Sequence, residues 1–194
     1  MNISTEKLIA DLIERTRQNL NQAEELNAQP EKILNLKPAP ESWSALECIA
    51  HLNLYGNFYL PEIQRRINSA VKPAEENFKS GWLGDYFAKM MLPREKLNKM
   101  KTFKDKDPND HQLNKKTLIE FIDQQKQILD LLRQARAISL NKTRTAISIS
   151  KWIKLKLGDT LRVVIYHNQR HLAQANKALA QNNDATTVIQ LENK

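Results

Sequence analysis

Apolar side chains recur along the chain with the 3.6-residue period of an amphipathic helix in four long stretches. Leu8, Leu12, Leu20, Ala23 and Leu26 predict a first helix from the Ser4/Thr5 cap to about Asn27, broken afterwards by Pro30, Pro38 and Pro40. "SALE" at Ser44 to Glu47 has the form of a capping box, so a second helix should start there, carry His51 and run to about Ser69, with Pro61 kinking or interrupting it. Leu118, Phe121, Ile122, Ile128, Leu129, Leu132 and Ala135 predict a third helix from about Asn114 to Ala137.

The period then changes. Ile147, Ile149, Ile153, Leu155 and Leu157 share one parity, interrupted only by Lys151, which predicts an extended segment packed on the helices. Gly158 and Asp159 read as a stop and an N-cap for a fourth helix to about Ala180, followed by a loosely ordered tail. Residues 70 to 112 read as irregular, with a short helix near "GWLGDYFAKMML". Four long helices with one long crossover between the second and third predict an all-α chain, a four-helix bundle forming a single domain over residues 1–194.

Composition agrees with this picture: 41% hydrophobic and 27% charged residues are ordinary for a globular chain, and four glycines are too few for a turn-rich β fold. The start has no apolar core of a signal peptide, and no stretch approaches the roughly 18 apolar residues of a membrane span. The expectation is a cytoplasmic protein with no membrane partner. Cys48 is the single cysteine, so an internal disulfide is impossible, and an inert buried thiol is the expected role. Trp43, Trp82 and Trp152 are expected to pack in the core.

The formal charge of +8 raises the question of an anionic partner. Arg94, Lys96, Lys99, Lys101, Lys104 and Lys106 fall within the basic segment 92–110, and Lys142, Arg144, Lys151, Lys154 and Lys156 form a second run. Solvated connections are the simpler reading, and a rim attracting small anions the sharper one. The runs lack aromatic interleaving and no helix-turn-helix is readable, so specific nucleic-acid binding is not expected.

His167 and His171 stand one helical turn apart in "VVIYHNQRHLAQANKAL", and His51 lies on the second helix with Glu47, Leu54 and Phe58. Each histidine alone fits core packing; the three together fit an open metal site. Glu47 could orient His51, though capping its helix is the simpler role, and His111 in "DPNDHQ" is expected to be exposed and outside any site. There is no phosphate-binding glycine loop, nucleophile elbow or HExxH pair.

"ESWSALECIAHL", with Trp43, Glu47 and His51, and "LGDTLRVVIYHNQRHLAQANKAL", with His167, Arg170, His171 and Gln174, together resemble the DinB/YfiT-like family. The resemblance implies a four-helix bundle of up-down-down-up order, often a homodimer, with a divalent metal, zinc or nickel by ligand type, on His51, His167 and His171. It implies thiol-dependent transferases and isomerases using low-molecular-weight thiols, or metal-dependent hydrolases. A metal-binding stress-response or interaction bundle without turnover is the rival. Low-molecular-weight thiols carry carboxylates, so the basic runs favour a small anionic substrate or thiol.

Overall fold

Ser44 and Glu47 close the capping box: the Glu47 N–H donates to Ser44 Oγ at 3.1 Å and the Ser44 N–H to Glu47 Oε2 at 2.8 Å. This fixes where the His51 helix begins. The computed structural model of the chain describes residues 1–93, 102, 106–108 and 113–192. Among them the order is β1 (Asn2–Ser4), α1 (Thr5–Asn27), α2 (Glu31–Leu34), α3 (Ala45–Asn68), β2 (Asn77–Lys79), α4 (Trp82–Met91), α5 (Lys116–Ala135), β3 (Arg144–Ile147), β4 (Ser150–Lys156) and α6 (Leu157–Glu192).

The chain is mostly helical. α1 and α3 each pack against both α5 and α6, so the four long helices form a closed ring. α3 continues through Pro61, which gives up one helical hydrogen bond without ending the helix. The short helix expected near residues 81 to 92 is α4, and it packs on α6.

Several local expectations give way to tertiary partners. Ser4 makes no side-chain cap; it lies in β1, which pairs antiparallel with β2 through Ile3 opposite Phe78. Asp159 is not a cap either, because α6 already starts at Leu157. Its carboxylate accepts from the Gly81 N–H at 2.9 Å and from Ser80 Oγ, tying the start of α4 to α6. Gly84 permits this approach: a Cβ there would lie 2.4 Å from Asp159 Cγ. Arg162 completes the joint, donating from Nη1 to Asp159 Oδ1 at 3.3 Å and to Ser80 Oγ at 3.0 Å, and from Nη2 to Asp85 Oδ1 at 3.0 Å. α6 also runs past Ala180 to Glu192, since no proline or glycine lies beyond Gly158 to stop it.

The extended segment is a hairpin rather than one strand. Thr145 faces Leu155 and Ala146 faces Lys154, but Ile147 faces Ser150, so residues 151–153 bulge from the ladder. The turn rests on α3, where the Ser148 N–H donates to the Tyr59 hydroxyl at 3.2 Å. Trp82 and Trp152 are not core residues: they are 84% and 94% exposed, one at the start of α4 and the other at the bulge.

Two apolar clusters fill the ring. Leu12, Ile63, Ile128 and Ile165 represent one, and Leu26, Ile49, Phe121 and Leu172 the other. Between them on every long helix lie buried polar residues: Thr16 and Asn19, His51 and Asn53, Gln124 and Gln125, His167 and Asn168. Part of this belt is paired, Asn168 Nδ2 donating to Gln125 Oε1 at 3.3 Å and Gln124 Nε2 to Asn57 Oδ1 at 3.0 Å, while Asn19 Oδ1, Asn53 Oδ1 and Gln125 Nε2 are buried with no hydrogen-bond partner among the described residues. Gly56 lets Gln124 cross α3 closely, since a Cβ there would stand 1.9 Å from Gln124 Oε1.

Candidate metal centre

The belt places three imidazoles together. His51 sits two turns beyond the Ser44 cap on α3, and α6 carries His167 and His171 one turn apart with ring centroids 4.6 Å from each other. The His51 centroid is 5.2 Å from His167 and 4.5 Å from His171. One nitrogen from each ring lies within 4.8 Å of the other two. His51 and His167 are buried and His171 is half-buried.

Hydrogen bonds select which nitrogens face inward. The His51 Nδ1–H donates to the Lys106 carbonyl at 2.8 Å, and the His171 Nδ1–H to Gln174 Oε1 at 3.0 Å. Each proton held at Nδ1 leaves a lone pair on Nε2. His51 Nε2 lies 3.3 Å from His167 Nε2, close to the separation of about 3.4 Å between two ligands on one tetrahedral ion with bonds near 2.05 Å. The donor set and spacing are therefore compatible with a divalent metal ion.

The surroundings favour neutral rings, which is the ligating form. Burial is the main cause of a lowered pKa at all three: His51 is lowered, His167 lies well below its ordinary value, and His171 falls to about 3. His171, His51 and Arg170 push His167 further down, and His51 and Arg170 do the same to His171, whereas the Lys106 carbonyl partly offsets burial at His51. A depressed histidine pKa means the unfolded chain binds the extra proton first. The metal-free protein should keep this stability above the ordinary imidazole pKa of about 6.5 and lose it progressively as pH falls toward 3. Urea midpoints across that range will check this, and a flat profile, or one unchanged in His171→Gln, would refute it.

Aromatic rings wall the cluster. Trp43, just before the α3 cap, lies 4.9 Å from His51 and 5.8 Å from His171 between centroids. Tyr55, one turn after His51, lies 4.9 Å from His51 and 4.7 Å from His167. Its ring stacks on Tyr59, which holds the hairpin turn.

The remaining candidates fall elsewhere. Cys48 is buried in the apolar cluster around Ile49 and Leu52, and burial pushes its thiol well up, away from nucleophilic use. Glu47 serves the capping box and pairs with Lys37 at 3.1 Å. His111 and most of segment 92–110 lie outside the described residues. Gln174 was already among the motif residues of the family resemblance, and Tyr55 was discoverable as a helical neighbour four positions from His51. The Lys106 carbonyl was not, because a backbone acceptor carries no side-chain signature.

The sequence model of the DinB superfamily matches residues 12–175, a span that includes all three histidines. No curated protein and no solved structure matches the chain.

Proposed function

The chain belongs to the DinB superfamily, and from that membership and the converged imidazoles we propose a metal-dependent enzyme that activates a low-molecular-weight thiol for transfer to a carbon electrophile. The observation that carries it is the inward-facing Nε2 pair of His51 and His167, with His171 completing the cluster. When bound, a divalent ion on three neutral imidazoles supplies Lewis acidity at an open coordination position.

The protein's own groups do the rest. Lys106 and Gln174 hold the protons on His51 Nδ1 and His171 Nδ1, which orients both rings. Trp43 and Tyr55 limit water around the cluster. Arg170, buried beside His171, helps keep that imidazole neutral. Its charge serves a thiolate and a hydroxide alike; thiol transfer stands ahead of hydrolysis because low-molecular-weight thiols carry carboxylates that the basic runs of the sequence complement.

Helix pairings support the up-down-down-up order as part of this proposal. α1 and α6 run together, since Arg15 meets Gln169 and Gln22 meets Asn176. α3 and α5 likewise, since Asn53 meets Thr117 and Gln64 meets Gln134. α1 opposes α5, with Lys115 reaching Asn27 and Arg136 reaching Glu6.

Metal analysis of untagged protein, followed by an assay of thiol consumption with a model electrophile, tests this. One equivalent of zinc or nickel and metal-dependent thiol loss are expected. Hydrolysis of ester or amide probes without thiol loss would transfer the site to water activation, and a bound ion with no turnover in either assay would leave a metal-binding bundle.

A further inference from the structure

The β3–β4 hairpin combines exposed apolar side chains with a run of basic residues. Its bulge projects Trp152, 94% exposed, between Ile149 at 48% and Ile153 at 37%. Lys142, Arg144, Lys151, Lys154 and Lys156 occupy the same short stretch with no acidic residue among them. The carboxylate packed against it, Glu62, accepts from the Ala146 N–H and is already paired with Arg65 and Arg66. The hairpin therefore presents an apolar tip inside a concentrated positive field.

We propose that this hairpin docks the protein on an anionic lipid surface, with Trp152, Ile149 and Ile153 entering the headgroup region and the exposed Lys142, Arg144 and Lys154 lying against lipid phosphates. Tryptophan is favoured at the membrane interface because its ring is apolar yet carries a polar N–H, and basic side chains gain from the negative surface potential of anionic lipids. A second copy of the chain is a poorer occupant, since two hairpins of like charge would repel. A nucleic acid would use the cations but leave Ile149 and Ile153 without a partner. The proposed attachment is peripheral, through the hairpin alone; no helix among the described residues is long and apolar enough to cross a membrane. The proposal departs from the sequence-based expectation of no membrane partner and is independent of what the histidine cluster does.

The full chain is sedimented with phosphatidylcholine vesicles, with and without phosphatidylserine, beside Trp152→Ala and Lys154→Gln. Binding is expected only with phosphatidylserine, weakened roughly tenfold by Trp152→Ala and roughly fivefold by Lys154→Gln, and reduced by salt. Both side chains are exposed, so helix content and melting temperature should stay unchanged in both variants. No binding to phosphatidylserine vesicles at low salt would overturn the proposal, as would binding indifferent to Trp152→Ala. Duplex DNA binding or self-association that depends on the hairpin, without vesicle binding, would assign it to that partner and overturn it equally.

Discussion

Alanine at His51, His167 or His171 is expected to weaken binding of zinc or nickel by more than the roughly 10–100-fold lost when an outer hydrogen-bond partner of a ligand is removed. Two ligands come from one helix and the third from another, so a bound ion also ties α3 to α6. At a hundredfold excess over Kd an ion stabilises the folded state by about 2.7 kcal/mol. For a chain of this size that raises the melting temperature by roughly 5–10 °C. The rise should vanish in each alanine variant, and comparing each variant with and without ion separates lost ligation from lost packing. Gln174→Ala should retain a smaller rise, because it frees the His171 ring without removing it. An undiminished rise in all three alanine variants would place the ion elsewhere.

Arg162→Ala should be the most destabilising change away from the histidines, at about 3–5 kcal/mol. Its guanidinium is 4% exposed and joins Asp159, 1% exposed, to Asp85 across two helices. Removing it leaves a buried carboxylate whose compensating charge is gone. The melting temperature should fall by roughly 6–20 °C, and adding Asp159→Asn should recover part of the loss. Arg162→Lys should not rescue fully, since an ammonium cannot bridge Ser80, Asp159 and Asp85 as the planar fork does. The Lys89 ammonium and Arg162 hold Asp85 below the usual carboxylate range, so this joint is intact above the ordinary aspartate pKa and fails as pH falls through the lowered one. Urea denaturation of the variants decides the matter: a loss under about 1 kcal/mol would mean the joint is dispensable.

What the sequence displayed, and what it hid, follows from range. The bounds of α1 and α3 were legible because their signals are local: a capping box, a steady apolar period and prolines beyond Asn27. β1 was hidden because its partner, Asn77–Lys79, lies more than seventy positions away and is three residues long. The hairpin was read as one strand because its turn at Ser148 and Ile149 has no Asn-Gly or Asp-Gly signal and is held instead by Tyr59 on another helix. Asp159 looked like a cap until Ser80, Gly81 and Arg162 claimed its carboxylate. The aromatic surface was misjudged because exposure of Trp82 and Trp152 depends on what the fold leaves uncovered. In the cluster, the His167 and His171 pair was visible from helical spacing, whereas the approach of His51 came only from the family resemblance.

The polar belt also works as an alignment mark. Leucine-rich clusters above and below it could interdigitate almost as well after one helix slid by a turn of 5.4 Å, because apolar contacts carry little positional information. Such a slip would move Asn19, Gln125 or Asn168 from its partners into an aliphatic layer and leave each buried amide unpaired, at about 1–3 kcal/mol apiece. The observed axial setting is the one that pairs Asn168 with Gln125 and Asn19 with the Ile165 carbonyl, and it also brings His51 level with His167. The chain thus encodes the height at which its helices meet in the residues that cost it most to bury.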